Sequence, residues 1–498
     1  MSNLARYLTE SARRHPERPA LRLGGMAITY AELDDRSSRA AALVRALGIV
    51  PGDRVALMLP NVPEFVTLYF GILKAGGVVV PLNPLLKRRE VEYHLRDSET
   101  SLLFTWQDGP GEGALGADAI GARHVLVEPD HFAVGYGASE PQLDATRALD
   151  DVAVLLYTSG TTGRPKGAAL THGSLAHNAQ VVADDLLHLT PDDVILGCLP
   201  LFHAFGQTCS MNTAIVGGAS LSLVPRFDPK IVLDTIAADR GTIFQGVPTM
   251  YGALLHHPAA GDADVSSLRV CSSGGASLPV EILNEFERVF GCPVLEGYGS
   301  SETSALVTYH HPGRSRKPGS VGTPIRDVEV RVVDDAGKDV PDGEVGELVV
   351  RGPNVMREYW NRPDETAEAI PDGWLRTGDL GRQDEDGYFF IVDRKKDLII
   401  RGGYNVYPRE IEEVLYEHPA VAQAAVVGVA DERLGEEVGA AVVLRKGASA
   451  DRDELIAYVK ERVAAYKYPR HLWLTDALPL GPSGKVLKRA VIPPTPAP

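Results

Sequence analysis

The chain has 498 residues, of which 50 are Lys or Arg and 66 are Asp or Glu, so its formal net charge at pH 7 is −16. One hydrophobic core does not support a chain of this length, and at least two domains are expected. Binding to nucleic acid or to an anionic membrane surface requires a basic face, so the excess of acidic residues argues against either partner.

Targeting and membrane signals are not expected in this sequence. Residues 1–16 carry charges throughout, which is unlike a signal peptide. A membrane-spanning helix needs roughly twenty consecutive apolar residues, and we find no such run, so we expect no integral membrane segment. The four cysteines show no metal-ligand spacing, and such low cysteine use in a large chain is typical of a reducing compartment. The sequence thus predicts a cytoplasmic protein.

Between residues 150 and 290, strand-like and helix-like segments alternate. Short apolar runs rich in β-forming residues predict buried strands at residues 152–157, 194–199, 221–224 and 268–272. Apolar residues at helical spacing predict helices at residues 175–187, 231–238 and 279–290. This alternation predicts an α/β fold in which mostly parallel sheets are covered by helices.

Beyond residue 320 the pattern changes. Residues 328–333 and 347–351 alternate around turn-forming Asp, Pro and Gly, which predicts a small antiparallel, β-barrel-like region. Residues 393–397 then bring five charged side chains together, as exposed linkers commonly do. We therefore expect an N-terminal domain at residues 1–393, a hinge at 394–397 and a small, mobile α+β domain at 398–498. In the last domain we predict helices at 408–417 and 452–465 and strands at 424–429 and 440–444.

The most informative segment follows the first of the predicted strands. Residues 157–167 read Tyr-Thr-Ser-Gly-Thr-Thr-Gly-Arg-Pro-Lys-Gly. Glycines let backbone N–H groups approach an anion closely, hydroxyls add donors and the lysine adds a positive charge, so the loop predicts a phosphate site. In a Walker loop the lysine is followed by Ser or Thr, whereas here Pro165 precedes Lys166 and Gly167 follows it. The loop therefore indicates a different kind of ATP chemistry.

This loop resembles the phosphate loop of the adenylate-forming superfamily, which includes acyl-CoA synthetases, luciferases and the adenylation domains of peptide synthetases. Other segments resemble that family in order and spacing, at residues 29–33, 200–203, 273–276, 298–303, 374–379, 393–397, 401–403 and 482–485. The resemblance covers nearly the whole chain. It implies that the β- and γ-phosphates of ATP are held by Thr158, Ser159, Gly160, Thr161, Thr162 and Lys166.

The resemblance also implies roles for the other site residues. Glu302, with Thr158, would hold Mg²⁺, and Lys485 would bridge the substrate carboxylate and the α-phosphate; with His203 these are the predicted catalytic residues. The predicted nucleotide site consists of Gly274, Gly275, Ala276, Tyr298, Gly299, Ser301, Asp379 and Arg394, of which the last two would contact the ribose. The predicted acyl pocket consists of His203, Phe205, Gly246, Val247, Gly297 and Ser300, and its walls include the whole of segments 205–206 and 245–248.

A second step would pass the acyl group to a thiol. In the family the C-terminal domain rotates about the residue that matches Lys396, which withdraws Lys485. The same rotation presents Gly402 and Gly403, whose small size leaves room for a pantetheine arm. Few residues follow Lys485, so coenzyme A is the predicted acceptor, and a separate carrier protein stays open as the alternative.

Together these features predict an ATP- and Mg²⁺-dependent ligase. It would convert a neutral monocarboxylic acid, with a medium- or long-chain fatty acid favoured, to acyl-AMP with release of pyrophosphate and then to acyl-CoA. Gly297 stands where malonate-activating relatives carry an arginine, so a dicarboxylic acid is disfavoured. Alternatives that stay open are an aryl acid such as a cinnamate, an unusual acid or nitrite, a luciferase-like oxygenase and a catalytically silent ATP-binding module. The oligomeric state, monomer or homodimer, also stays open.

Overall fold

The structure of the protein is a computed structural model. It describes residues 3–109, 111–128, 145–158, 164–481 and 484–493. Within these ranges, no helix is long and apolar enough to cross a membrane.

Sheet A is built mainly from parallel strands. Its neighbouring strands follow the spatial order Thr323–Pro324, Thr308–Tyr309, Val294–Tyr298, Val270–Ser273, Ile243–Gly246, Val194–Gly197, Ser220–Leu223, Pro19–Leu23 and Met26–Thr29. The pairs between Val294–Tyr298 and Pro19–Leu23 are parallel, and the outer pairs are antiparallel. The carboxyl ends of the parallel strands therefore meet at one edge, where α/β sheets commonly bind ligands.

Sheet B carries the glycine-rich loop at one of its hairpins. Its strands follow the order Glu358–Tyr359, Lys166–Thr171, Val152–Thr158, Val78–Pro81, Arg54–Met58, Leu102–Trp106 and Arg123–Val127. Val152–Thr158 is parallel to Val78–Pro81 but antiparallel to Lys166–Thr171. The loop thus joins two antiparallel strands, which is why no helix follows its lysine as one does in a Walker loop.

Helices accompany both sheets. The α-helices are Arg6–Arg14, Tyr30–Ala46, Pro63–Ala75, Arg88–Asp97, Glu112–Asp118, His172–Gln180, Thr213–Gly217, Pro229–Asp239, Pro248–Leu255, Val280–Phe290, Pro363–Ala369, Pro408–Tyr416 and Arg452–Lys460. Val181–Leu186 and Phe205–Asn212 are π-helical, and Ser301–Thr303, Pro371–Gly373 and Lys488–Ala490 are 3₁₀ turns. The family segment at residues 29–33 is a helix start, because Thr29 and Glu32 form a capping box in which the Thr29 N–H donates to Glu32 Oε2 at 2.8 Å.

One hydrophobic core joins the two large sheets. Leu21 and Ile195 of sheet A pack in the same buried cluster as Val55 and Leu102 of sheet B and as Phe65 of a helix. Burying a side chain of this kind stabilises the fold by roughly 1.5–3 kcal/mol. The two sheets therefore form a common scaffold for the loops at their ends.

Two smaller sheets complete the chain. The first is antiparallel, with the order Glu329–Val333, Gly346–Arg351, Leu375–Gln383 and Phe389–Arg394. The second has the order Tyr404–Val406, Ile399–Arg401, Gly435–Leu444 and Val421–Asp431, with His471–Leu474 parallel to Gly435–Leu444. The second sheet has a core of its own around Val406, Ile411 and Val442.

The predicted α/β class is confirmed, and two predicted helices need correction. The segment predicted as a helix at 175–187 is α-helical only to Gln180 and π-helical afterwards. The helix predicted at 452–465 ends at Lys460, and Val463 and Tyr466 then pack on the core from turns. Their apolar spacing continued the helical pattern because these turn residues also face the core.

Candidate active site

A cavity of about 1600 Å³ lies where the ends of sheets A and B, the small antiparallel sheet and the C-terminal part of the chain meet. Most predicted site residues line it, namely Thr158, Lys166, His203, Phe205, Gly274, Gly275, Ala276, Gly297, Tyr298, Gly299, Ser300, Ser301, Glu302, Asp379, Arg394, Lys396 and Lys485. Ser159, Gly160, Thr161 and Thr162 lie outside the described residues. The fold thus gathers side chains that stand far apart in the sequence.

The described ends of the glycine-rich hairpin face this cavity. Thr158 pairs with Lys166 across the two antiparallel strands. Thr158 Oγ1 is buried and has no hydrogen-bond partner in the described part of the chain. Such a hydroxyl needs a ligand or water oxygen, and a phosphate would supply one. The Lys166 ammonium pairs with Glu365 and lies 5.2 Å from the centroid of the Tyr359 ring.

Glu302 is held by a tyrosine that sequence analysis missed. Its Oε1 accepts a hydrogen bond from the Tyr359 hydroxyl at 3.0 Å. Tyr359 reaches this point because the strand Glu358–Tyr359 pairs with Lys166–Thr171. The sequence around Tyr359 contains no motif that we recognised, so only the strand pairing reveals its position.

The donor set around Glu302 fits Mg²⁺ bound together with ATP. In the ranges that the structure describes, no group of three or more His, Cys, Asp or Glu side chains could hold a metal ion. Mg²⁺ commonly binds through one or two carboxylates and substrate phosphates while it keeps several waters. One carboxylate, Glu302, and the unpaired hydroxyl of Thr158 line the same cavity and suit that mode of binding.

Three nucleotide-site residues from distant segments meet at a buried carboxylate. The Tyr298 hydroxyl donates to Asp379 Oδ2 at 2.7 Å, and Arg394 Nε lies 3.1 Å from Asp379 Oδ1. Asp379 and Arg394 face each other across antiparallel strands. Burial raises the pKa of Asp379 above its ordinary value, and Arg394 and Tyr298 oppose that rise. Each carboxylate oxygen has a further lone pair for a ligand hydroxyl.

Close packing explains two of the predicted nucleotide-site glycines. A Cβ at Gly299 would lie 2.0 Å from the carbonyl oxygen of Ala305. A Cβ at Gly274 would lie 3.2 Å from the Phe205 ring. A larger residue at either position would push the neighbouring wall of the cavity outward.

Lys485 enters the cavity from the C-terminal part of the chain. The turn before it docks on the opposite wall, where Thr249 Oγ1 donates to the Gly484 carbonyl oxygen at 2.7 Å. A Cβ at Gly275 would lie 2.6 Å from Lys485 Cε and 3.0 Å from Nζ. Because Gly275 has no side chain, there is space beside it for the side chain of Lys485.

Burial sets the charge state of the two basic groups here. Burial and the neighbouring Arg394 guanidinium lower the pKa of Lys485 to about 8, against the opposing effect of Asp379 and Glu302. Burial and the Lys485 ammonium lower the pKa of His203 to about 3. His203 is therefore neutral at ordinary pH, and its Nδ1 accepts from the Phe205 N–H at 3.3 Å.

The residues predicted for the acyl pocket differ in how they contact the cavity. His203, Phe205, Gly297 and Ser300 line it, and their contact with an acyl group stays a prediction. Within the predicted wall segment 245–248, Gln245 and Pro248 line the cavity. Gly246 and Val247 are outside the lining, and Val247 Cγ1 would lie 3.5 Å from a Cβ at the lining residue Gly275. Alternate residues of a strand point to opposite faces, and a Cβ at Gly246 would lie 2.8 Å from the ring of Phe244 in the core. Other lining residues that sequence analysis missed are Ser272, Tyr309, Cys209 and Val182.

The predicted hinge residue lines the cavity, whereas the glycines of the predicted coenzyme A path do not. Lys396 follows the strand Phe389–Arg394 and lines the cavity. Gly402 and Gly403 form an exposed turn, with φ of +57° and +86°, that does not belong to the cavity lining. Their role requires a second arrangement of the chain, so it stays a prediction, as do the domain bounds at residues 393 and 398.

Comparisons with known proteins agree with this geometry. The family model described as AMP-binding enzyme matches residues 8–360, and that of the AMP-binding enzyme C-terminal domain matches residues 410–485. The chain is 39% identical to a long-chain-fatty-acid–CoA ligase of Bacillus subtilis (strain 168), over 98% of this chain and 94% of the relative. It is 42% identical to a feruloyl-CoA synthase of Amycolatopsis sp, over 98% of each chain.

Solved structures are similar over the full length. The crystal structure of ATP-bound MatB from Rhodopseudomonas palustris superposes with a TM-score of 0.92 at 37% identity, and it covers 99% of this chain and 98% of that chain. The apo structure of MatB, with the same identity and coverage, superposes with a TM-score of 0.82.

The chain therefore belongs to the AMP-binding enzyme family, within the acyl-CoA synthetase branch of the adenylate-forming enzymes. The predicted enzyme class, an AMP-forming acyl-CoA synthetase, is confirmed. The prediction of ATP, Mg²⁺ and coenzyme A as its small-molecule requirements is confirmed with it.

Proposed function

We propose that this cavity activates a neutral monocarboxylic acid by adenylation and that the acyl group is then passed to coenzyme A. The observation that carries the proposal is the meeting of Lys485 with Gly275 beside the Asp379, Arg394 and Tyr298 cluster. A cation at that point lies between the acyl side and the nucleotide side of one cavity. This is the position from which it can bring two anions together.

The first step joins a carboxylate oxygen to the α-phosphorus of ATP and expels pyrophosphate. Repulsion between the carboxylate and the phosphates opposes the approach, and the Lys485 ammonium reduces it most where the charges are closest, in the transition state. His203, being neutral, adds no competing charge beside Lys485. Asp379 and Arg394 would hold the ribose, and the end of the hairpin at Thr158 and Lys166 would contact the phosphates.

Glu302 and Thr158 would hold Mg²⁺. When bound, the ion supplies positive charge to the phosphate oxygens and favours departure of pyrophosphate. Tyr359 orients the Glu302 carboxylate through its hydrogen bond. Glu365, which now pairs with Lys166, would release that lysine to the phosphates when the nucleotide binds.

The second step needs the C-terminal part of the chain to move. We propose a hinge at residues 394–397, centred on Lys396, between a unit at 1–393 and a unit at 398–498. Rotation would withdraw Lys485 and bring the turn of Gly402 and Gly403 to the cavity. The thiol of coenzyme A would then attack the acyl carbonyl and displace AMP. The higher TM-score to ATP-bound than to apo MatB supports the present arrangement as the one for adenylation.

A neutral acid is favoured because of Gly297. A Cβ there would lie 2.7 Å from Tyr309 Cδ2 and 2.9 Å from Leu306 Cδ1, which leaves no room for an arginine that could pair with a second carboxylate. A medium- or long-chain fatty acid is one candidate, supported by the similarity to the Bacillus subtilis ligase. An aryl acid is the other, supported by the similarity to the Amycolatopsis synthase. The cytoplasmic location stays a proposal, supported by cysteines that are buried and free.

The test is a product assay with a panel of acids. We expect AMP and pyrophosphate in equal amounts, a requirement for Mg²⁺, and an acyl-CoA thioester when coenzyme A is added. Formation of ADP and phosphate as the stoichiometric products would contradict the assignment of Thr158, Lys166 and Glu302 to adenylation. Failure of every acid to release pyrophosphate would contradict the proposal as a whole.

A further inference from the structure

The acyl side of the cavity ends in a polar group of residues. Gln245, Ser272 and Tyr309 line the cavity although they are only 1%, 2% and 5% exposed. Gln245 faces Ser272 across parallel strands, and the Tyr309 ring lies against Gly297, at whose Cβ position its Cδ2 would be 2.7 Å away. We call Gln245, Ser272 and Tyr309 the polar end.

The polar end offers more hydrogen-bond donors than the protein uses. Ser272 Oγ and Tyr309 OH are 2.6 Å apart, and one donates to the other, which uses one of their two O–H groups. Gln245 Oε1 accepts from Ser210 Oγ at 2.7 Å, whereas its Nε2 makes no hydrogen bond with any residue in the described ranges. Burial raises the pKa of Tyr309, so its hydroxyl keeps its proton. A ligand reaching this point therefore meets O–H and N–H donors.

These donors select a neutral oxygen acceptor. An alkyl tail would displace water from them and leave them unsatisfied, which is costly for buried polar groups. A second carboxylate on the substrate would accept their hydrogen bonds but would lack a counter-ion. Arg269 is near enough for its positive charge to lower the pKa of Tyr309, but its Nε already pairs with Asp193 Oδ1 at 2.7 Å. A hydroxyl or ether oxygen satisfies the donors without bringing a charge.

Two further features favour a short, flat acid. The Phe205 ring lies 3.2 Å from the Cβ position of Gly274, so one wall is an aromatic ring beside bare glycine backbone, a surface suited to another ring. Lys485 packs on Gly275. Gly275 is three residues after Ser272 in the chain, so their Cα atoms are at most about 11 Å apart. The carboxylate end and the polar end are therefore close together.

From this geometry we propose that the substrate is an aromatic monocarboxylic acid with a hydroxyl or methoxy oxygen on the ring, remote from the carboxyl group, and that Gln245, Ser272 and Tyr309 determine this specificity. The proposal rests on the adenylation proposed above and names its substrate class. It selects the aryl acid over the fatty acid.

The test compares kcat/KM for 4-hydroxycinnamate, cinnamate and decanoate with the whole chain, ATP, Mg²⁺ and coenzyme A. We expect 4-hydroxycinnamate to be preferred to both other acids by at least about tenfold, since a site built to bind a hydroxyl rejects the analogue that lacks it. Tyr309→Phe and Gln245→Leu should each reduce the ratio of kcat/KM for 4-hydroxycinnamate to kcat/KM for cinnamate by about tenfold.

Tyr69→Phe is the matched control, because Tyr69 is also a buried tyrosine with a hydrogen-bonded hydroxyl but lies outside the cavity lining. It should leave the ratio of the two cinnamates unchanged. If Tyr309→Phe does not fold, Ser272→Ala tests the same hydroxyl pair. Pyrophosphate release with decanoate or cinnamate at a rate equal to or above that with 4-hydroxycinnamate would overturn this inference alone. No pyrophosphate release with any acid would overturn the proposed function and this inference with it.

Discussion

Lys485 and Gly275 belong to opposite walls of the cavity and are packed so closely that a Cβ on Gly275 would lie 2.6 Å from Lys485 Cε. Gly275 also has a φ of +81°, a conformation that residues with a Cβ rarely adopt. The glycine thus determines where the ammonium group of the lysine can lie. Adenylation should depend on that contact.

Gly275→Ala should displace Lys485 and slow adenylation by at least about tenfold, because a shift of about an ångström at a positioning contact can cost that much or more. Conversion of supplied acyl-AMP to acyl-CoA should be affected far less. Gly343→Ala is the control, since Gly343 has a φ of +86° but nothing within 4 Å of its Cβ position. Equal loss of adenylation in both variants would show that backbone strain, and not contact with Lys485, causes the effect.

Lys485→Ala should slow adenylation by at least about a hundredfold, or roughly 2.7 kcal/mol, because the cation between the two reacting anions is removed. Acyl-AMP supplied directly should still react with coenzyme A. Lys446→Ala, at an exposed lysine outside the cavity lining, should change neither step. Single-turnover measurements of the two half-reactions check this, and equal damage to both by Lys485→Ala would refute the division of roles.

The pH dependence of adenylation should report Lys485. Its pKa is lowered to about 8, so the ammonium is present below that pH and is lost as the pH rises through it. We expect kcat/KM for ATP in the adenylation half-reaction to fall above about pH 8, since kcat/KM reports groups of the free enzyme. His203, with a pKa lowered to about 3, should contribute no inflection between pH 5 and 9. A profile that stays flat to pH 10 would contradict the role of Lys485.

Lys396→Pro should separate the two half-reactions in the opposite sense. Proline fixes φ near −65° and would hinder rotation about this residue, so adenylation should persist while thioester formation falls sharply. Lys396→Ala removes the charge without restricting φ and serves as the control. Gly403→Leu should resemble Lys396→Pro by filling the path of the pantetheine arm. Normal thioester formation by Lys396→Pro would rule out a hinge at this position.

Gly297 should exclude dicarboxylic acids. We expect kcat/KM for the best neutral monocarboxylate to exceed that for malonate by at least about tenfold, or roughly 1.4 kcal/mol. Gly297→Ala should lower kcat/KM for the acid and leave KM for ATP unchanged, because its Cβ would press on Tyr309 and Leu306. Gly261→Ala, with nothing within 4 Å of its Cβ position, is the control. Malonate as the best substrate would contradict this reading of the pocket.

Residues in motifs were predictable from the sequence, but the partner of Glu302 was not. Glu302, Asp379 and Lys485 stand in segments whose chemistry can be read in order along the chain, and the structure brings all three to one cavity. Tyr359, which binds Glu302, stands in no such segment. Its place depends on which strand pairs with Lys166–Thr171, a contact between segments almost two hundred residues apart.

The sequence by itself determined the phosphate loop and the α/β architecture, because glycines, hydroxyls, charges and apolar periodicity act over a few neighbouring residues. Its resemblance to the adenylate-forming superfamily gave the enzyme class and the coenzyme A chemistry. Only the tertiary structure decided the wall of the acyl pocket. Within the predicted segment 245–248 it placed Gln245 and Pro248 at the cavity, and it joined Ser272 to Tyr309. The physical reason is that strand register decides which face of the sheet a side chain occupies, and pairing between distant strands decides which residues surround it. A local sequence pattern specifies neither of these.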